Sequence, residues 1–263
     1  MTILHSAVDA SNKQGKLALM IYLVPNFPDS KIYLETLDIL YQHPNVDIIE
    51  TTFPVTTKYS EFANHTIRSA HRQAARYANG VKVLEGLKPF RKPSICVLYR
   101  ETLDKLSFEE FLQRIQGNID GVLLEWEEDD ASSYVSLSRQ YGVEFIQVSY
   151  PDMTQKDMDK YLGMTGEKPL IYLVSAAMTG GDLFTDGEII ECIRRTKDYR
   201  PQSKLMAGFG IKNASDIRGL AQIEGLDGII IGTAFLEVMR QGIEAVRSFL
   251  DDIGPALFSR AGV

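Results

Sequence analysis

Only two cysteines, Cys96 and Cys192, and one tryptophan occur in the 263 residues. The cysteines stand far apart without metal-ligand spacing, which argues against a disulfide framework or a zinc site and fits a reducing compartment. Long apolar runs are also missing. The longest, 17–24, covers eight residues, whereas a membrane-spanning helix needs roughly 20. Residues 1–16 lack the basic-then-apolar order of a secretory signal and carry Asp9, Asn12 and Gln14 instead. The expectation is a cytoplasmic protein with no membrane partner. Basic excess is absent too: 28 Lys and Arg stand against 35 Asp and Glu, a net charge of −7, which argues against nucleic acid as a partner. No Pro/Gly/Ser-rich linker, low-complexity tract or internal repeat divides the chain, so a single domain over 1–263 is expected.

What is present is an alternation of short β-rich runs and longer amphipathic stretches. Strands are predicted at 17–23, 46–50, 94–99, 121–125, 144–148, 169–174, 204–208 and 228–231. Such continuously apolar strands suit a parallel sheet covered on both faces. Helical patterns at 30–42, 61–78, 107–116, 132–141, 155–162, 186–198, 213–223 and 234–250 separate them. Helix starts are locally sensible at Ser107 and over 213–216. Eight βα units in this order predict a single (β/α)₈ barrel. About 43 residues separate the second strand from the third, room for a long loop and a further helical turn near 81–87. Insertions after barrel strands usually serve the face that carries the chemistry.

Glycine-rich turns mark one end of this barrel. Gly208, Phe209 and Gly210 follow the seventh strand, Gly232 and Thr233 follow the eighth, and Thr179 with Gly180 and Gly181 follow the sixth. Bare backbone N–H groups there, with a helix N-terminus behind them, suit a phosphate monoester. The competing reading is that these glycines relieve crowding where strand meets helix.

Glu50 ends an apolar strand at the same face, and Ile48, Ile49, Phe53 and Pro54 would desolvate it, raising its pKa toward the range of a general acid or base. Capping of a loop amide is the structural alternative. Glu125 ends the fourth strand in the same manner and opens an acidic run whose remainder reads as a solvated loop. Trp126 could wall a pocket or pack under a loop. Tyr22, Tyr99 and Tyr172 lie near strand ends, where their rings could line a cavity. His65 and His71 fall among Arg68, Arg72 and Arg76, a pattern that predicts a partly exposed basic face. Neither a His-based triad nor a metal site is suggested.

Together these segments resemble the tryptophan synthase α subunit family over nearly the whole chain. The residues that carry the likeness are Asp47–Ile48–Ile49–Glu50, the Pro93…Tyr99 strand, Tyr172–Leu173–Val174–Ser175 through Thr179–Gly180, Gly208–Phe209–Gly210–Ile211, and Gly232–Thr233–Ala234. The resemblance implies a retro-aldol cleavage of indole-3-glycerol phosphate to indole and glyceraldehyde 3-phosphate, with no metal or organic cofactor. It implies Glu50 as the acid/base, Gly180, Gly210, Gly232 and Thr233 at the phosphate, and Tyr22, Tyr99 and Tyr172 at the indole pocket. A β subunit is the implied partner.

The chain departs from that family after Glu50. The family's Pro-Phe-Ser-Asp-Pro-Leu-Ala-Asp-Gly-Pro segment is replaced by residues 54–63, in which only Pro54 survives. By counting, Glu61 takes the place of the Asp that accepts the indole N–H, with Glu125 as another carboxylate that could serve. The loop at 175–179 is one residue short and lacks the family's Arg and a Gly. Three readings follow: an indole-releasing lyase, a lyase or aldolase on another phosphorylated substrate, and a non-catalytic binding partner. Retention of Glu50 together with the phosphate loops argues against the third.

Overall fold

The structure, a computed structural model, describes residues 2–59, 63–126, 130–176, 179, 181–208 and 210–258. Its strands are β1 (Ala18–Tyr22), β2 (Ile48–Thr52), β3 (Ser94–Leu98), β4 (Gly121–Leu124), β5 (Glu144–Phe145), β6 (Gln147–Ser149), β7 (Leu170–Val174), β8 (Lys204–Gly208) and β9 (Gly228–Ile231). They pair in parallel in the order β5-β4-β3-β2-β1-β9-β8-β7-β6. β5 and β6 are two halves of the predicted fifth strand, interrupted at Ile146, so the two ends of the sheet meet in one stretch of chain. The sheet is thereby a closed barrel of eight strands' worth of chain, as the βα alternation predicts.

The helices are α1 (Ile3–Lys13), α2 (Ser30–Gln42), α3 (His65–Ala74), α4 (Gly80–Glu85), α5 (Phe108–Ile115), α6 (Ser132–Gln140), α7 (Gln155–Tyr161), α8 (Asp186–Tyr199), α9 (Ala214–Ala221), α10 (Thr233–Arg240) and α11 (Ile243–Ile253). Local sequence starts several of them: α5, α7, α8 and α9 each open on a reciprocal capping box, led by Ser107, Thr154, Thr185 and Asn213. The predicted helix over 234–250 is in fact α10 and α11. Gly242 separates them with φ 99°, a left-handed backbone conformation that glycine adopts without a side-chain clash.

Register fixes what points inward. Met20 pairs with Ile48 on one side and Ile230 on the other, and these side chains join Ile95, Leu170 and Met206 in the barrel core. Helix α1 was not anticipated from the sequence. It closes the N-terminal end of the barrel, with Leu4 and Val8 packed into that same core. Below them Lys16 is nearly buried and its Nζ contacts both Asp47 carboxylate oxygens at 3.1 and 3.0 Å. Asp47 also accepts from the Leu19 amide at 2.8 Å and from Ser11 Oγ at 2.7 Å. This network pins α1, β1 and β2 at the end opposite the glycine-rich loops. Among the described residues no helix is long and apolar enough to cross a membrane, and Cys96 and Cys192 are free and buried.

Candidate active site

A cavity of about 1040 Å³ opens at the C-terminal end of the strands, with Tyr22, Glu50, Tyr99, Glu125, Tyr172 and Gly232 in its wall. This is the face on which barrel enzymes carry their chemistry. The six residues come from six strands far apart in sequence, and the closed barrel brings them together.

Glu50 is 3% exposed, and its Oε1 has no hydrogen-bond partner. Capping of a loop amide is thus excluded for that oxygen; the Leu23 amide is met instead by the Glu50 main-chain carbonyl, at 2.8 Å. Burial pushes the carboxyl from 4.5 up to about 8. A buried acceptor without a donor costs stability. What it provides is a carboxyl that holds its proton at neutral pH and can exchange it with a bound molecule.

The tyrosines are not simple wall residues. Tyr22 and Glu50 are register partners on β1 and β2, which places their side chains next to each other on the inner face. The Tyr22 hydroxyl lies 2.9 Å from His71 Nε2 and within hydrogen-bonding reach of Tyr99. His71, expected on an exposed basic face, is fully buried. The charged Arg72 and Arg76 do face solvent, while His71 shares the inner stripe of α3 with Ile67, Ala70 and Ala74. Its ring packs edge-on against Tyr99 at 4.7 Å and Tyr59 at 5.7 Å between centroids. Burial lowers its pKa to about 3, so it is neutral throughout the working range.

Beside Tyr22, Gly232 precedes α10, and Gly232, Thr233, Gly210 and Thr179 all line the cavity. Backbone N–H groups at the start of α10, with its dipole, suit an anion. Gly208 does something different. A Cβ there would lie 2.2 Å from the Tyr172 hydroxyl, so this glycine makes room for the Tyr172 ring. Asn64, not singled out from the sequence, joins three loops at the cavity rim. Its amide N–H donates to Thr179 Oγ1 at 2.9 Å, and its Nδ2 donates to the Thr179 carbonyl at 2.7 Å and to Thr233 Oγ1 at 3.4 Å. Lys212 also reaches the cavity and pairs with Asp182 at 3.2 Å. Glu61, Gly180 and Phe209, expected at the site, lie outside the described residues.

The exchanged loop after β2 is anchored by its own contacts. The Glu101 carboxylate accepts from the amides of Thr56 and Thr57 at 3.0 and 2.7 Å. Lys58 reaches Asp104 at 2.6 Å, and the Tyr59 hydroxyl donates to the Val55 carbonyl at 2.7 Å. Trp126 walls the cavity and carries the Arg100 guanidinium 5.2 Å over its ring. Among the described residues no cluster of three or more His, Cys, Asp or Glu side chains could hold a metal ion.

No protein-family model matches the chain. Curated relatives do. A tryptophan synthase alpha chain of Caldicellulosiruptor bescii is 23% identical over 98% of this chain and 99% of its own length. One of Chlorobium chlorochromatii is 26% identical over 86% and 88%. Among solved structures, tryptophan synthase of Mycobacterium tuberculosis matches with a TM-score of 0.81 at 17% identity, over 99% of both chains. The alpha subunit from Legionella pneumophila matches at 0.79 and 18%, over 98% of both. The structural likenesses establish the shared barrel.

Proposed function

We propose that this chain, a divergent member of the tryptophan synthase α chain family, is a carbon–carbon lyase that cleaves indole-3-glycerol phosphate to indole and glyceraldehyde 3-phosphate. The observation that carries this reading is Glu50, buried at the cavity, with an unpartnered oxygen and a pKa near neutrality. Protonated Glu50 delivers its proton to the indole ring carbon that bears the glycerol chain. The resulting carboxylate takes the proton of the adjacent glycerol hydroxyl as the C–C bond breaks, so the bonding electrons return to the ring and the aldehyde forms. Glu50 ends the cycle protonated, as it began. The reaction needs one acid/base and a fixed distance to an anchored phosphate.

Gly210, Gly232 and Thr233, with the start of α10, supply the phosphate anchor in this reading, and Tyr22, Tyr99 and Tyr172 the aromatic wall. Thr179 acts at the phosphate rim through Asn64. Gly180 and Phe209 belong to the same loops, and Glu61 or Glu125 serves the indole N–H. No cofactor has a role in these steps. We place the chain in the cytoplasm, where two buried thiols stay reduced, as one domain over 1–263 that is able to hand indole to a β subunit. The test is Glu50→Gln. It should abolish indole release and leave binding of glycerol 3-phosphate unchanged; undiminished turnover would remove Glu50 as the acid/base.

The anchored loop at 55–59 favours a second reading, a lyase on a phosphorylated substrate with a different ring. An indole N–H buried without its acceptor would cost about 1–3 kcal/mol.

A further inference from the structure

The main-chain N–H of Val55 points at His71 Nδ1 across 3.2 Å. A backbone amide can only donate, so Nδ1 carries the lone pair, and a neutral imidazole has one hydrogen to place. That hydrogen sits on Nε2, 2.9 Å from the Tyr22 oxygen. His71 is fully buried and stays neutral, so this tautomer holds over the working range. The Tyr22 oxygen therefore accepts from His71, with Tyr99 as its neighbour on the other side. Its own hydrogen is thus left for a partner other than His71, and Glu50, its register partner on the inner face, has an oxygen without a donor.

We infer that His71 is a positioning residue for Glu50: by donating to the Tyr22 oxygen it turns the Tyr22 hydrogen toward the carboxyl, and Tyr22 hydrogen-bonds the carboxylate whenever Glu50 ionises. The acid/base of the proposed lyase would otherwise form its anion in a buried site with no donor on Oε1. His71 spans the loop after β2, helix α3 and strand β1, so the exchanged loop sets the orientation of a hydroxyl in the barrel mouth. The inference rests on the reading of Glu50 as the reacting group.

Tyr22 from β1, Tyr99 just beyond β3 and Tyr172 from β7 face Glu50; Cys96, on the outer face of β3, feels its charge, and the charge of Glu125 at the end of β4 is felt by Tyr22 and Tyr99. Glu101 is the charge that His71 feels. Apart from Tyr22, which one variant changes, all of these are left in place by the test, which follows the Glu50 carboxyl directly in the ligand-free protein. The readout is the carboxyl resonance of ¹³C-labelled glutamate, assigned with Glu50→Gln.

Tyr22→Phe and His71→Leu should each move the Glu50 titration upward by about one pH unit or more, the size expected when a charge-assisted hydrogen bond is lost. His71→Gln, which keeps a donor at about the position of Nε2, should shift it by less than about half a unit. An unmoved titration in Tyr22→Phe would overturn the inference, and so would equal shifts in His71→Leu and His71→Gln. Should His71→Leu fail to fold, the ¹⁵N shifts of the parent His71 ring decide: an unprotonated Nδ1 with a protonated Nε2 supports the assignment, and the reverse tautomer overturns it. Neither measurement uses a substrate. A chain that left indole-3-glycerol phosphate uncleaved would sink the lyase reading while these spectra still reported on His71.

Discussion

Asn64 and Thr179 are 115 positions apart in sequence, yet Asn64 binds Thr179 twice, main chain to side chain and side chain to main chain, at 2.9 and 2.7 Å. The same Asn64 caps α3 through Oδ1, which accepts from the Ile67 amide at 3.0 Å. One residue thus sets the start of a helix and ties its loop to the cavity rim at Thr179. Asn64→Ser retains a capping oxygen and loses the Nδ2 donor. Glycerol 3-phosphate binding should weaken by about tenfold, equivalent to about 1.4 kcal/mol, while the melting temperature changes little because the cap survives. Titration calorimetry and a thermal melt on the same sample check both.

Glu50 makes stability depend on pH in a defined direction. Its folded value of about 8 lies above the ordinary 4.5, so between those values the folded chain holds a proton that the unfolded chain releases. Stability therefore falls as pH rises through that window and levels off above about 8. Glu50→Gln removes this dependence. It should match the parent near pH 4 and exceed it near pH 9 by up to a few kcal/mol, since one pKa unit is worth about 1.4 kcal/mol. Urea midpoints at the two pH values test this, and parallel curves would contradict it.

The barrel was legible because parallel strands buried on both faces leave continuous apolar runs, and a carboxylate at the end of such a run, as in Glu50, stands out. The interruption at Ile146 has no Gly or Pro to announce it. Gly242 did announce the break between α10 and α11, but apolar spacing continues across it and masked the signal. Helix α1 precedes the first strand, outside the βα alternation, and its role depends on Leu4 and Val8 finding a barrel core made by residues far downstream. His71 could have been found: it lies four residues after Ile67 and one after Ala70, on the apolar stripe between the arginines. Asn64 shows only a cap in the sequence. Its bonds to Thr179 and Thr233 depend on loops that the closed barrel alone brings together.

Gly208 and Tyr172 form a packing pair. A methyl at position 208 would lie 2.2 to 2.3 Å from the Tyr172 hydroxyl and ring, so Gly208→Ala should cost about 1–3 kcal/mol and raise KM by displacing the ring. Tyr172→Ala in the same chain removes the obstacle. The double variant should be more stable than the sum of the two single effects implies. A urea-denaturation double-mutant cycle measures the coupling, and strict additivity would contradict the contact.

At the other end of the barrel, Lys16→Met leaves Asp47 without its cation in a largely buried setting. Breaking one partner of such a pair costs about 3–5 kcal/mol. Because the cavity lies at the opposite end of the strands, turnover per folded molecule should stay unchanged. Active-site titration of the surviving protein separates the two effects.

If Glu50 donates the first proton, kcat/KM should fall about tenfold per pH unit above about 8, the pH at which the free enzyme loses that proton. Initial rates check this, and binding of glycerol 3-phosphate measured over the same range should show no such limb.

The most direct test of the account is to incubate the purified chain with indole-3-glycerol phosphate, alone and with a tryptophan synthase β subunit, and to follow indole and tryptophan. The account predicts indole from the chain, tryptophan when the β subunit and serine are added, and neither from Glu50→Gln. Silence from the parent chain in both arms, with glycerol 3-phosphate bound normally, would contradict it.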